Sequence, residues 1–335
     1  MSGPSPAEAA IRLSVRRCLP DPPNVVLVAV SGGPDSLALA AATAFEARSR
    51  GLRAGAVIVD HGLQEGSDAV ARQAADQCRG LGLGPVVVKT LDVGLGPNLE
   101  ARARAGRYGA IEQVAAEVGA TAVLVGHTLD DQAESVLLAL VRGSGTRSLS
   151  GMAPVRGLYR RPLLGIRRAE TLEACREAGL EPWHDPMNNP GGAYRSARAE
   201  VRAQVLPTMV EVLGPGVVLG LARTAQLARA DCQALDELAD AAGVRAAIGG
   251  EVEVAALAGE PEAVRRRVLR KAALNWGAPA GSLSVRHIDA LEALVMDWHG
   301  QGPASLPDGI EVVRTCGKLV VRLADTGQRG EPARE

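Results

Sequence analysis

Val25-Val26-Leu27-Val28-Ala29-Val30-Ser31-Gly32-Gly33-Pro34-Asp35-Ser36-Leu37-Ala38-Leu39-Ala40 is the stretch whose reading decides the fold. Its first six residues form an unbroken apolar run, the pattern of a strand buried on both faces. From Leu37 onward the residues are strong helix formers. The glycine pair between the two halves lets backbone N–H groups approach an anion at the positive end of a helix dipole. Asp35 adds a hard oxygen suited to Mg²⁺, and the hydroxyls of Ser31 and Ser36 can donate to phosphate oxygens. The hexapeptide at residues 31–36 therefore predicts a phosphate site in a strand–loop–helix unit, against the plainer alternative of a Gly-rich turn. No Gly-x-x-x-x-Gly-Lys-Ser/Thr occurs, and no Gly-x-Gly-x-x-Gly follows the strand. Those two absences argue against a P-loop and against a dinucleotide fold.

Outward from this unit the pattern repeats. Residues 54–60 read as a second strand ending in Asp60-His61-Gly62, 67–81 as a helix, 85–91 as a third strand and 98–118 as a long helix. Residues 121–126 read as a further strand and about 130 to 141 as its helix. Such alternation predicts an α/β fold, a Rossmann-like parallel sheet with helices on both faces. Right-handed crossovers then gather residues 31–36, Asp60-His61 and Gly126-His127 at one edge, where ligands bind. Past Pro182 a dense set of turn formers intervenes, and helical periodicity returns over 196–241 with a break near Pro215-Gly216. Helices at 261–274 and 285–297 precede a hairpin, 309–314 and 318–322, turned at Thr315-Cys316-Gly317. The organisation expected is a catalytic domain over 1–207, a helical linker over 208–243, a small α+β domain over 244–325 and a frayed tail over 326–335.

Composition narrows the function classes. With 47% hydrophobic residues in a chain of 335, sizeable cores can form. The first twenty residues hold no apolar signal core and no run approaches a bilayer span, so no membrane association is expected. Five scattered cysteines (Cys18, Cys78, Cys175, Cys232, Cys316) without Cys-x-x-Cys fit a reducing, cytoplasmic setting. The net charge is −1, yet residues 142–168 carry seven arginines and no acid, and Arg265-Arg266-Arg267 with Arg270 and Lys271 form a second basic cluster. Clusters of this kind can follow phosphates, or can be solvated helix faces. Three Trp, three Tyr and one Phe are too few for an extended base-stacking platform, so arginine–phosphate contacts and one extruded base are the expected mode of RNA recognition.

In Gly126-His127-Thr128-Leu129-Asp130-Asp131-Gln132-Ala133-Glu134, His127, Asp131 and Glu134 recur at i, i+4 and i+7, which places them on one helix face below the phosphate loop. A carboxylate pair there can hold an ammonium, ligate Mg²⁺ or accept a proton. The structural alternative is a Thr128 cap with acids complementing the helix dipole. The set is a poor zinc signature. Arg142-Gly143-Ser144-Gly145 closes the helix with a basic turn suited to a polyanion.

Taken in order, Ser-Gly-Gly-Pro-Asp-Ser, Val59-Asp60-His61-Gly62-Leu63, Glu100-x-x-x-Arg104-x-x-Arg107-Tyr108, His127-x-x-x-Asp131-x-x-Glu134, Arg142-Gly143-Ser144-Gly145 and Arg161-Pro162-Leu163-Leu164 resemble the N-type ATP pyrophosphatases and, within them, the tRNA(Ile)-lysidine synthetases, over residues 24–207. The carboxyl-terminal part is similar more loosely, as the small substrate-binding domain of short members. The resemblance implies ATP and Mg²⁺ as cofactors, with tRNA(Ile) carrying a cytidine wobble base and free L-lysine as partners. It also implies adenylation of the cytosine C2 oxygen, then attack by the lysine amine with loss of AMP. A homodimer is left open.

Carried over residue by residue, the resemblance gives Ser31, Gly32, Gly33, Pro34, Asp35 and Ser36 the pyrophosphate, with Asp35 on the metal. Asp60, His61 and Gly126 fall to the adenosine. Asp35, Arg107, His127, Asp131, Glu134 and Arg198 form the catalytic set. Arg142, Arg147, Arg161, Asp185, Asn188 and Arg202 are given to the tRNA, joined from the second basic cluster by Arg266 and Arg270. The family usually has Asn where this chain has Ala199. Rivals are a tRNA thiolation enzyme, which needs paired cysteines, an amidotransferase, which needs a glutaminase domain, and a non-catalytic ATP-binding regulator, for which the acidic face and the arginine-rich segment would have no use.

Overall fold

The apolar run forms β1 (Val25–Val30), and the alternation of its side chains assigns them to two different cores. Val26, Val28 and Val30 pack into one buried cluster, while Leu27 packs into another on the opposite face of the sheet. In the computed structural model, residues 3–22, 24–62, 64, 66–92, 94, 99–143, 145–185 and 196–323 are described. They divide into two units, Met1–Arg229 and Ala230–Glu335.

In the first unit β1 is followed by α2 (Pro34–Ser49), β2 (Arg53–Asp60), α3 (Ser67–Gly80), β3 (Val86–Thr90), α4 (Leu99–Val118), β4 (Ala120–Val125) and α5 (Leu129–Val141), after a leading helix α1 (Pro6–Cys18). A short α6 (Gly145–Leu149), a hairpin of β5 (Val155–Arg156) and β6 (Tyr159–Arg160), and α7 (Arg168–Glu177) complete it as far as the described residues reach 185. The strand order is β3-β2-β1-β4-β6-β5, parallel except for the terminal β5, which runs antiparallel to β6. The chain moves outward from β1 through β2 to β3, then crosses to β4 on the other flank. That reversal opens a crevice at the carboxyl ends of β1 and β4. Helices α1, α2, α3 and α7 supply the core on one face, and α4 supplies Ile111, Val114 and Ala115 to the other.

Several elements go beyond the sequence reading, among them α1, β5, β6 and α7. In α1, Ala7, Ile11 and Val15 are buried at i, i+4 and i+8, but Glu8 and Arg12 among them mask the stripe. Arg12 and Arg16 reach the fully buried Glu46 of α2 at 3.3 and 2.7 Å, which fastens α1 down. Strands β5 and β6 are two residues each, too short to show a period. In α7 only Thr171, Ala174 and Cys175 are buried, so the apolar pattern is faint.

After the described residues resume at 196, α8 (Ala197–Glu200), a π-helical turn (Val201–Val205) and α9 (Leu206–Leu213) follow, ended by Gly214 at φ 92°. The 30-residue α10 (Val217–Ala246) contains the unit boundary at Arg229, within the segment expected as a linker.

The second unit carries a sheet in the order β7 (Ala247–Ile248), β8 (Glu251–Glu253), β11 (Lys318–Leu323), β10 (Ile310–Thr315) and β9 (Ala304–Ser305). Its helices are α11 (Val254–Ala258), α12 (Glu262–Asn275) and α13 (Val285–Met296), packed around Leu257, Leu269, Leu291, Leu294 and Leu319. Thr315 pairs with Lys318 across a two-residue turn in which Cys316 and Gly317 have φ 48° and 76°, the positive values a tight hairpin needs. The expected tail over 326–335 lies outside the described residues.

Candidate active site

The loop after β1 is held by its own serines. The Ser31 N–H donates to Ser36 Oγ at 3.1 Å, and Ser36 Oγ donates to the Gly33 carbonyl at 2.9 Å. Gly32 takes φ +83°, a conformation glycine adopts without strain. Gly33 caps α2 without a side-chain acceptor and Pro34 sits in the first turn, so the helix presents its N-terminal N–H groups to the crevice. The end of β4 approaches closely: a Cβ on Gly126 would lie 3.0 Å from the Asp35 carbonyl carbon and oxygen and 3.1 Å from Ser36 N. On the other side, the Trp183 N–H donates to the Gly32 carbonyl at 2.9 Å.

A cavity of about 630 Å³ opens over this loop. Ser31, Gly33, Pro34, Asp35, Ser36, Asp60, His61, Arg107, Gly126, His127, Asp131, Asp185 and Arg202 all line it, joined by Tyr108, Trp183 and Arg168. Its size is that of a pocket for a nucleotide-sized ligand. Asp60 Oδ1 accepts from the Gly62 N–H at 3.0 Å, and Asp185 Oδ1 accepts from Gln64 at 3.1 Å.

The acidic face departs from the sequence reading in two ways. His127 is not on the helix: α5 starts at Leu129 with Thr128 as its cap, and the His127 N–H bonds the Val125 carbonyl. A capping box explains this boundary. Asp131 Oδ2 accepts from Thr128 N at 2.8 Å and from Thr128 Oγ1 at 2.9 Å, which stops the helix short of residue 127. His127 still meets Asp131 in the cavity, from the strand end. Glu134, in turn, is fully buried and does not line the cavity. It stands behind arginines: Arg202 Nε at 2.7 Å, Arg168 Nη1 at 3.5 Å and Arg198 Nε at 3.7 Å.

Arg168, at the start of α7, is the principal residue that sequence reasoning missed. Its Nη2 lies 2.8 Å from Asp131 Oδ1 and its Nε 3.3 Å from Asp35 Oδ2, so one guanidinium spans the loop and the acidic face. The same helix sends Thr171 Oγ1 to Asp35 Oδ1 at 2.5 Å. The available signal was an arginine at the end of an acid-free stretch, followed three residues on by a threonine.

The electrostatics follow from burial and these pairs. Burial pushes the Asp35 carboxyl up, outweighing Arg168 and the Thr171 hydrogen bond, and the Asp131 charge adds to the push. Burial acts the same way on Asp131, but Arg168, the Thr128 N–H and Arg202 prevail and hold it below the ordinary range. Burial lowers His127 to about 4, with Asp131 opposing and Arg161, Arg104 and Arg107 assisting, so the ring is neutral. Burial, then the Arg107 charge, lowers His61. Both rings leave a buried Nδ1 without a hydrogen-bond partner. Burial also lowers Arg107, which has no carboxylate partner among the described residues.

The remaining expected positions scatter. Arg198 donates to Ser135 Oγ at 2.8 Å, beside the cavity rather than in it. Arg142 and Arg147 are exposed. Arg161 is buried and donates to the Ala153 carbonyl at 2.9 Å, so it shapes the interior and not a tRNA-facing surface. In the second unit the basic cluster is largely neutralised: Arg265 meets Glu292, Arg266 meets Asp289 and Lys271 meets Asp240, each at 2.5 Å. Arg267 meets Asp236 at 3.1 Å, and Arg270 donates to the Leu283 carbonyl at 3.3 Å. Arg266, expected to face the tRNA, is thus engaged by Asp289, while Arg270 meets only a backbone carbonyl. Asn188, Leu63 and Ser144 lie outside the described residues.

Comparison with known families matches residues 8–209 to a PP-loop domain and residues 253–320 to a TilS substrate binding domain. The chain is 53% identical to a tRNA(Ile)-lysidine synthase of Salinispora arenicola, covering 96% of this chain and 98% of that one. It is 49% identical to that of Streptomyces coelicolor, covering 96% and 99%. Among solved structures, the U34-tRNA thiolase NcsA from Methanococcus maripaludis with its [4Fe-4S] cluster superposes with a TM-score of 0.56 at 20% identity, over 67% of this chain and 78% of that one. At that identity the likeness concerns the fold.

Proposed function

Because the chain belongs to the tRNA(Ile)-lysidine synthase family, we propose that it uses ATP to join lysine to C2 of the wobble cytidine of tRNA(Ile). The observation that carries this reading is the single cavity in which the loop at residues 31–36 and Asp131 face each other. In the first step the cytosine O2 attacks the α-phosphorus of ATP and pyrophosphate leaves. The N–H groups of the loop and the start of α2 would hold the departing pyrophosphate, and Arg107, a guanidinium in the wall with no carboxylate partner among the described residues, suits the developing charge. In the second step the neutral ε-amine of lysine attacks C2, the C2–O bond breaks and AMP departs, while the amine's extra proton passes to an acceptor in the cavity.

Asp131 is kept ionised and lines the cavity, which suits it to hold the lysine ammonium. Glu134 acts behind it, by fixing Arg202 and Arg168. His61 and His127, neutral and with free Nδ1 atoms, are suited to hydrogen-bond the nucleoside portion. Asp35 suits a magnesium ion: it lines the cavity at the phosphate loop, and Mg²⁺ is commonly held by one or two carboxylates together with substrate phosphates. When bound, the ion would supply charge neutralisation for the leaving pyrophosphate.

No single helix among the described residues is long and apolar enough to cross a membrane. A cytoplasmic setting is part of the proposal, supported by the tRNA substrate. The burial that raises Cys78 to about 11 and Cys175 to about 12 makes both poor nucleophiles, which gives a sulfur-transfer reading no support. The test is mass spectrometry of tRNA(Ile) with a cytidine wobble base after incubation with ATP and lysine. The expected gain is that of lysine less water on that nucleotide, and AMP formation that ignores lysine or tRNA would overturn the reading.

A further inference from the structure

Arg168 is placed to act on both halves of the cavity. It touches Asp35 of the phosphate loop and Asp131 and Glu134 of α5, at 3.3, 2.8 and 3.5 Å, and only the middle contact has the length of a well-formed charged hydrogen bond. Its backbone is fixed separately: the Arg168 N–H donates to Asp130 Oδ2 at 2.8 Å, and Arg167 forks onto the same carboxylate. The pivot is therefore fastened while the guanidinium, 21% exposed, faces the cavity beside the loop.

Asp131 and Glu134 also have a second cation. Arg202 lies 3.1 Å from Asp131 and 2.7 Å from Glu134, so a departure of Arg168 does not strip them. A polyphosphate in the loop would offer Arg168 a doubly charged, fork-matching partner on the side where Asp35 already draws it.

We propose that Arg168 is a positioning residue that couples the two subsites: it pairs with Asp131 until the phosphates of a bound nucleotide compete for it, and its shift then leaves Asp131 to receive the lysine ammonium. The proposal rests on the ATP- and lysine-binding reading given above. It makes nucleotide and amine cooperative ligands, with each raising the affinity of the other by the same factor.

The test titrates lysine calorimetrically into the full chain, with and without Mg²⁺ and a non-hydrolysable ATP analogue. Wild type is expected to bind lysine about fivefold or more tightly with the analogue present, within the range of ordinary coupling. Arg168→Gln should still bind the analogue and lysine but lose that increment, and Arg168→Lys should keep only part of it. An intact increment in Arg168→Gln, or no increment in wild type, overturns the coupling while leaving the lysine site standing. Wild type that binds no lysine even with the analogue overturns the lysine reading and this inference together. Should Arg168→Gln fail to fold, an Arg168→Lys increment equal to wild type overturns the coupling.

Discussion

Asp130 Oδ2 accepts a 2.8 Å hydrogen bond from the Arg168 N–H, so the acid next to Asp131 in sequence sets the arginine that Asp131 holds in space. Asp130 is absent from the cavity lining, yet it anchors the start of α7 and with it both Asp35 partners, Arg168 and Thr171. Replacing it by Ala removes the Arg167 fork and the Arg168 acceptor, at a cost of about 1–3 kcal/mol in stability. The expected result is a lowered denaturation midpoint and a fall of tenfold or so in lysine- and tRNA-dependent AMP formation, with Asp130→Asn milder in both because it keeps one acceptor. An Ala variant with wild-type turnover would show that α7 keeps its place without this anchor.

Gly126 is required by a close approach rather than by its backbone angle. A methyl group there would press on the carbonyl of Asp35 and the nitrogen of Ser36, both main-chain atoms that cannot swing aside. Gly126→Ala should separate the end of β4 from the phosphate loop, with overpacking strain of about 1–3 kcal/mol. Because the displaced atoms belong to the loop, the loss should appear mainly as a raised KM for ATP, with the KM for lysine changed less. Equal effects on both would mean that the whole cavity had moved.

Much of this site was legible in sequence because its parts stand at strand ends, where an apolar run stops and polar residues begin: residues 31–36, Asp60-His61 and Gly126-His127 are all of this kind. The periodic elements β1 to β4 and α3 to α5 were recovered to within a residue or two, whereas α2, read from Leu37 onward, starts at Pro34. What escaped was set by tertiary contact. Arg168 acquires its role only because α7 packs against α2 and turns its first residue inward, and no local pattern announces that. Glu134 shared a helix face with Asp131 in sequence, but arginines arriving from residues 168 and 202 buried it. The basic run at 265–271 looked like a phosphate surface because its counter-ions, at 236, 240, 289 and 292, come from other helices.

That last difference has a measurable consequence for tRNA binding. Arg142 is exposed, whereas Arg266 is engaged by Asp289. If Arg142 contacts a phosphate, Arg142→Ala should weaken tRNA binding and reduce the slope of log affinity against log salt by about one. Arg266→Ala should leave that slope unchanged, since its charge is already neutralised within α12 and α13. Filter binding across a salt series reads both variants, and a lowered slope for Arg266→Ala alone would return the tRNA surface to the second unit.

The half-buried His127 predicts how stability depends on pH. Its pKa of about 4 in the folded chain is below the ordinary 6.5, with burial as the main cause. On unfolding the ring returns to water and takes up a proton below pH 6.5, so between those two values the unfolded state binds more protons than the native one. Stability therefore falls as the pH is lowered through that window, and His127 has no effect above it. His127→Gln removes the titrating group and should lose less stability than wild type between about pH 7 and 4.5 in urea titrations. If the ring also stays neutral during turnover, the pH profile of AMP formation should keep its acid limb in His127→Gln even though the rate drops. If the variant and wild type instead lose stability in parallel down to pH 4.5, the ring is charged in the native state, and a neutral imidazole at the nucleoside end of the cavity is no longer tenable.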